Sequence, residues 1–170
     1  IFNEEYTYFS SYSTSWLAHA KKYANEMIDR FEYNHNSLIV EIASNDGYLL
    51  QYFNAMNIPV LGVEPTANTA SVAKEKGIDS IIDFFGEKLA RERLVGKADL
   101  ILGNNVLAHV PDINDFIRGV KLSLKFDGVN TFEFPHLCKL LEFNQFDTIY
   151  HEHFSYLSFT TLKSVFETYG

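Results

Sequence analysis

The chain has 170 residues, 46% hydrophobic and 21% charged, a composition that excludes a disordered or collagen-like polymer and suits one domain able to bury a core. Its 22 acidic residues against 14 Lys and Arg give a formal net charge of -8, which argues against nucleic acid or an anionic membrane surface as a partner and requires any phosphate-bearing ligand to be held locally. The single Cys138 can form neither an internal disulfide nor a Cys-based zinc site, and no apolar run approaches the roughly 20 residues that span a bilayer, so a reducing, cytoplasmic setting is expected. The chain opens Ile1-Phe2-Asn3-Glu4, with no initiator Met or signal-like stretch, and reads as a piece of a longer protein.

Aromatic residues crowd the two ends, among them Phe2, Tyr6, Tyr8, Phe9, Tyr12 and Trp16 at the start. Most are expected to pack on the core and a minority to line a ligand site. After Ser10-Ser11-Tyr12-Ser13, the positions Leu17, Ala20, Ala24, Met27, Ile28 and Phe31 recur at helical spacing, with Ser13 or Thr14 as N-cap. Leu38-Ile39-Val40-Glu41-Ile42 reads as a buried strand, followed by a helix with Tyr48, Leu49, Tyr52, Phe53 and Met56 on its packed face. Val60 to Glu64 is a second strand, Asn68 to Lys76 a helix stopped by Gly77, Ile78 to Asp83 a third strand, and Glu87 to Leu94 a helix ending before Gly96. Leu100-Ile101-Leu102 marks the fourth strand. Asp112 then caps a helix carrying Ile113, Phe116, Ile117, Val120 and Leu124, and Val129 to Phe134 is the fifth strand. After Pro135 the pattern loosens until Leu162, Val165, Phe166 and Tyr169 form a last helical stripe. This alternation specifies an α/β, doubly wound, Rossmann-like parallel sheet, because parallel strands need long right-handed crossovers. The expected order is 3-2-1-4-5.

In such sheets a ligand sits beyond the carboxyl ends of the strands. The first strand leads into Glu41-Ile42-Ala43-Ser44-Asn45-Asp46-Gly47, a small, polar turn suited to close backbone approach. It lacks the G-x-G-x-x-G of a dinucleotide fold. Glu64, followed by Pro65, ends the second strand where a carboxylate can accept both hydroxyls of a ribose. Asp83-Phe84-Phe85 offer an acceptor for an exocyclic amine and rings for a base, and Asn104-Asn105 close the fourth strand. Each could be an ordinary strand end, but together they suit adenosine, and a turn without the pyrophosphate glycines favours S-adenosylmethionine.

The stretches from Glu41 to Leu50 and from Asn105 to Asp112 carry a more specific likeness, as do Phe132-Glu133-Phe134-Pro135-His136, Tyr150-His151-Glu152-His153-Phe154-Ser155-Tyr156 and Tyr8-Phe9-Ser10-Ser11-Tyr12-Ser13. Together they resemble the S-adenosylmethionine-dependent C-methyltransferases of nucleotide-linked keto-deoxysugars, over essentially the whole chain. The resemblance implies an aromatic segment and helix flanking the site in residues 1–36, and a cofactor-binding core in residues 37–170 that stops before the last two strands of the full sheet. It also implies a cysteine-rich zinc domain before this region and a further Rossmann-like domain after it, so zinc is expected only outside this chain. The expected cofactor contacts are Tyr12, Glu41, Ala43, Asn45, Gly47, Glu64, Pro65, Asp83, Phe84, Phe85, Asn104 and Asn105.

Methylating a carbon requires a base to remove a proton beside a ketone and donors to stabilise the enolate. The resemblance gives the base role to His153, with Tyr150 as a second proton-handling group and Glu152 as an orienting or polarising partner; His109, at the start of the helix after the fourth strand, faces the same edge and is placed to contact substrate or enolate. Other readings of these residues stay open. A His151-x-His153 pair joined by His136 could bind a metal, Glu152 could be a loop charge and Tyr150 a core ring. His19 and His35 read as surface residues, and Asp99 and Glu133 as structural ones. The rival functions are an O- or N-methyltransferase of small molecules, a nucleoside-binding module without catalysis and, less favoured for want of the glycines, a dinucleotide-dependent oxidoreductase.

Overall fold

The computed structural model describes residues 7–170; the expectations that fall on Phe2 and Tyr6 lie outside them. Five parallel strands, β1 (Ile39–Ile42), β2 (Val60–Val63), β3 (Ser80–Ile81), β4 (Ala98–Asn104) and β5 (Leu124–Glu133), lie in the order β3-β2-β1-β4-β5, the order expected from the alternation. The order reverses at β1, so the crevice between the carboxyl ends of β1 and β4 is where such a sheet takes its ligand.

The helices are α1 (Thr14–Phe31), α2 (Leu50–Asn54), α3 (Ala67–Glu75), α4 (Glu87–Leu89, wound on as a wider π-type turn over Ala90–Leu94), α5 (Ile113–Ser123), α6 (Leu137–Glu142) and α7 (Phe159–Tyr169). Caps set their starts. The Ser13 hydroxyl accepts from the Trp16 N–H, and the Asp112 carboxylate from the N–H groups of Asn114 and Asp115, satisfying donors that a first helical turn leaves open. One face of the sheet buries Ile39, Leu100 and Leu102 against Phe53, Leu49 and the Ala20, Ala24 and Met27 stripe of α1. The other buries Val40, Ile42 and Ile101 against Phe116, Ile117, Val120 and Leu162. Fully covered on both faces, β1 carries the unbroken apolar run of a central parallel strand, apart from Glu41.

Four expectations need correction. Met56 is 61% exposed rather than packed, because α2 ends at Asn54 and the chain turns left-handed at Asn57. Strand β3 keeps only two residues of the expected six, since the Asp83 N–H turns back onto the Ile81 carbonyl. Leu124 opens β5 instead of closing α5, and the stretch after Pro135 contains α6, which its short apolar pattern concealed. Among the described residues no helix is long and apolar enough to cross a membrane.

Replacing the fully buried Phe53 by Ala is expected to cost about 3–5 kcal/mol by opening a cavity under β1, and Asp112→Ala about 1 kcal/mol by removing a cap. Urea unfolding midpoints of the two variants should differ in that order.

Candidate active site

The turn after β1 builds the floor of the site. Ala43, Asn45 and Gly47 all have positive φ (57°, 51° and 75°), a run that only small or locally bonded residues sustain. Asn45 donates its backbone N–H to Glu64 Oε2 at 2.8 Å, accepts the Ser10 N–H on Oδ1 at 2.9 Å, and donates Nδ2 to the Tyr8 carbonyl at 3.0 Å. Next to it, Lys76 donates to the Ser11 hydroxyl and the Asp46 carbonyl, both at 2.7 Å, and lies 3.4 Å from the Asp46 carboxylate. These bonds strap residues 8–11 across the carboxyl edge of the sheet.

A cavity of about 800 Å³ opens beneath that strap, within the range of small-molecule sites. On one side it is walled by Ala43, Asn45, Glu64, Pro65, Phe84 and Phe85, in the middle by Asn104 and Asn105, and at the far end by His109, Asp147, Thr148, Tyr150, Glu152 and His153. The strand-end residues expected for a nucleoside and the imidazoles expected for proton transfer therefore share one cavity.

Four expected contacts do not line it. Tyr12 is 82% exposed, and Asp83 turns its carboxylate onto the Phe84 N–H. Gly47 answers to packing: a Cβ there would lie 2.6 Å from Ile78 Cδ1 and 3.3 Å from Ala73 Cβ. Glu41 is completely buried below the floor, its carboxyl facing Tyr48 and Leu50. Neither of its oxygens closes a hydrogen bond of normal geometry. Burial, and then the nearby Glu64 and Asp46 carboxylates, hold its pKa well above the ordinary range.

The Glu64 carboxylate is more occupied than expected. Besides Asn45 it accepts the Thr66 N–H at 2.9 Å and the Thr66 hydroxyl, so of about four acceptor positions one stays open without rearrangement. Phe84, 64% exposed, and Pro65 offer flat apolar faces beside it, whereas Phe85 packs edge-on against Phe116 at 5.3 Å. Tyr48, which the helical pattern assigned to packing, and Trp16, one of the clustered N-terminal aromatics, also line the cavity. The Tyr48 hydroxyl faces Asn104 and Trp16, and burial, then Glu41, raise its pKa. Only the position of Tyr48 straight after the small turn could have marked it.

At the far end two imidazoles meet, His153 on the loop after α6 and His109 on the short turn after β4. His153 Nδ1 meets the Thr148 carbonyl at 2.8 Å and His109 Nδ1 the Glu152 carbonyl at 3.1 Å. A carbonyl only accepts, so each ring carries a proton on Nδ1, and in the neutral form the lone pair lies on Nε2. The rings meet edge to face at 4.7 Å, and Tyr150 lies 4.2 Å from His153 between centroids. Burial, then the neighbouring His153, lower the pKa of His109, while burial, then Glu152, raise that of Tyr150. At neutral pH the phenol thus keeps its proton and can donate it. Elsewhere, His136 lies between the N–H groups of Cys138 and Phe159, one of which a neutral imidazole can accept, and among the described residues no three His, Cys, Asp or Glu gather as metal ligands. His19, expected as a plain surface residue, pairs with Glu133 at 2.6 Å. Asp99 is structural, holding the Leu38 N–H and Lys125.

Residues 16–170 match the sequence family described as a methyltransferase domain. The chain is 38% identical over 169 residues to the C-methyltransferase NovU of Streptomyces niveus, covering 97% of this chain and 40% of that protein. It therefore spans about two fifths of the length of that relative. In fold it is similar to a SAM dependent methyltransferase from Archaeoglobus fulgidus (TM-score 0.69, 14% identity, 93% of this chain and 74% of that one). It is likewise similar to the PH0226 protein of Pyrococcus horikoshii OT3 (TM-score 0.77, 14% identity, 95% and 85%).

The raised pKa of Glu41 sets a pH dependence. Its carboxyl ionises near pH 4.3 in the unfolded chain but only well above that when folded. Its proton-linked stability is therefore greatest below that pH and falls as pH rises toward the folded value. Glu41→Gln should remove this fall, so that its urea midpoint matches wild type in acid and exceeds it at neutral pH.

Proposed function

The chain belongs to the methyltransferase domain family, with S-adenosylmethionine as methyl donor, and on that premise we propose that it methylates carbon, at the position next to the ketone of a nucleotide-linked 4-keto-deoxysugar. The observation that carries this reading is the continuity of one cavity from Glu64, Pro65 and Phe84 to His153, Tyr150 and His109. The likeness to a protein named as a C-methyltransferase supports it.

The residues fit the cofactor. Glu64 keeps one acceptor position for a ribose hydroxyl, Phe84 and Pro65 offer faces for a base, and Asn104 and Asn105 present amides at the end of β4. When bound, S-adenosylmethionine supplies an electrophilic methyl group and leaves as S-adenosylhomocysteine.

The chain's own residues prepare the acceptor. His153, its Nδ1–H fixed on the Thr148 carbonyl, lines the cavity and takes the proton beside the ketone on Nε2. The electrons of that C–H bond move to the carbonyl oxygen, giving an enolate. Tyr150, protonated at neutral pH, donates a hydrogen bond to that oxygen as its charge develops. His109, kept neutral by burial and by His153, adds no second positive charge when His153 becomes imidazolium. Glu152 lends its backbone carbonyl to orient His109. The enolate carbon then attacks the methyl group.

A domain-complete protein given S-adenosylhomocysteine and a nucleotide-linked 4-keto-deoxysugar in deuterated water should exchange the proton beside the ketone, followed by mass spectrometry. His153→Asn should slow exchange and methylation by about 10²–10⁴-fold with unchanged cofactor affinity. Tyr150→Phe should slow exchange less. Normal exchange in His153→Asn with loss in Tyr150→Phe would move the base to Tyr150, and absence of exchange in wild type would favour an oxygen or nitrogen acceptor.

A further inference from the structure

Trp16 is the chain's sole tryptophan, and the mechanism above does not use it. It sits on α1, outside the sheet, yet its indole lines the cavity alongside Ser10 and Tyr48. Two rings hold it there. His19, one turn along the same helix face, stacks on it at 5.1 Å between centroids with planes 24° apart, and Tyr48 stacks from the sheet side at 6.0 Å and 26°.

His19 is itself anchored. Its Nε2 meets Glu133 Oε2 at 2.6 Å, and Glu133 is the last residue of β5, where its backbone carbonyl accepts the N–H of the cavity residue Asn105 at 2.7 Å. One turn further along α1, the Tyr23 hydroxyl meets that of Thr131, two residues earlier on β5. The helix is thus moored to β5 at two points, and the outer one carries the ring that clamps Trp16. Both partners of the ion pair are nearly half exposed, at 48% and 43%, and exposed pairs add little to global stability. The arrangement is better accounted for by the placement of the indole than by stability.

We propose that Trp16 is a cofactor-contacting residue, and that the His19 and Glu133 pair acts through it as a positioning device. The inference rests on the S-adenosylmethionine reading of the cavity and adds a wall contributed by the helix that precedes the sheet. An indole in that wall gives a nucleoside or sulfonium ligand a rigid π-face at small entropic cost.

The test uses the 170-residue chain and S-adenosylhomocysteine. Saturating ligand should change the emission of the one tryptophan in wild type. By calorimetry, Trp16→Leu should weaken binding about three- to tenfold, the range of an aromatic contact, and Trp16→Phe should recover part of the loss. His19→Ala should weaken binding by a smaller factor in wild type and not at all in the Trp16→Leu background, the non-additivity expected if it acts through the indole. Thermal midpoints are followed alongside, and Trp16→Phe carries the test should Trp16→Leu not fold. Wild-type affinity in the Trp16 variants, or factors for Trp16→Leu and His19→Ala that simply multiply, would overturn the inference while leaving the cofactor reading intact. Absence of binding by the wild-type chain would overturn both.

Discussion

The site depends on one left-handed residue, Asn45. Its backbone N–H and both ends of its amide are bonded, to Glu64 just after β2, to the Ser10 N–H and to the Tyr8 carbonyl. Two pieces of chain distant in sequence, the strap of residues 8–11 and the end of β2, are thereby fixed to the turn after β1. An asparagine suits this because its short amide tolerates φ near 51° and offers a donor and an acceptor at once. Alanine would keep the backbone bond to Glu64 and lose two of the bonds that hold the strap, leaving those at Ser11. Aspartate would lose the donor to Tyr8 and add a charge beside the Glu64 carboxylate. The cavity exists because this turn holds a strap above the sheet edge while leaving space beneath it.

Much of the fold was legible in the sequence. Strand order followed from the alternation of short apolar runs with helical stripes, and Ser13 and Asp112 announced two helix starts through their side chains. What escaped was set by tertiary contact. Gly47 looked like a ligand loop glycine, but Ala73 and Ile78 pack where its side chain would be. Glu41 looked like a strand-end ligand, yet the register of β1 turns it beneath the floor. Tyr48 satisfied a packing periodicity and lines the cavity as well, because a helical stripe does not distinguish a ring facing the core from one at its margin. The His19 and Glu133 pair joins residues 114 positions apart, beyond the reach of any local pattern.

The residues proposed for proton transfer lie on an irregular stretch, and its neck explains how it keeps its geometry. The Leu137 N–H bonds the Leu157 carbonyl at 2.8 Å, and His136 receives the first N–H of α7 at 2.9 Å. The excursion between them leaves and returns at one point. Inside it the Phe154 N–H bonds the Ala108 carbonyl at 2.7 Å, which docks the segment against the loop carrying His109. The mutual placement of His109, Tyr150 and His153 is therefore backbone-determined, through the carbonyls of Thr148, Glu152 and Ala108. Sequence pattern reports side chains and does not report such bonds, so the Tyr-His-Glu-His run suggested chemistry but not the tautomers.

The charge of the cavity separates the rival ligands. Its described walls carry Glu64, Asp147 and Glu152 and neither Lys nor Arg. A dinucleotide would bring a pyrophosphate into that field with no cation to meet it. The helix following the turn, α2, has only five residues and offers a weak dipole in compensation. A ligand bearing a sulfonium and an ammonium finds the opposite situation, in which each carboxylate lowers its energy and the low dielectric of a half-enclosed site strengthens the attraction. The same field works on the reaction. Loss of the sulfonium charge weakens attraction to the walls, so the product nucleoside is held less tightly than the substrate by the electrostatic part of binding. In the proposed reaction the positive charge lost at sulfur is matched by the one gained on His153, so the site's net charge is unchanged across the step.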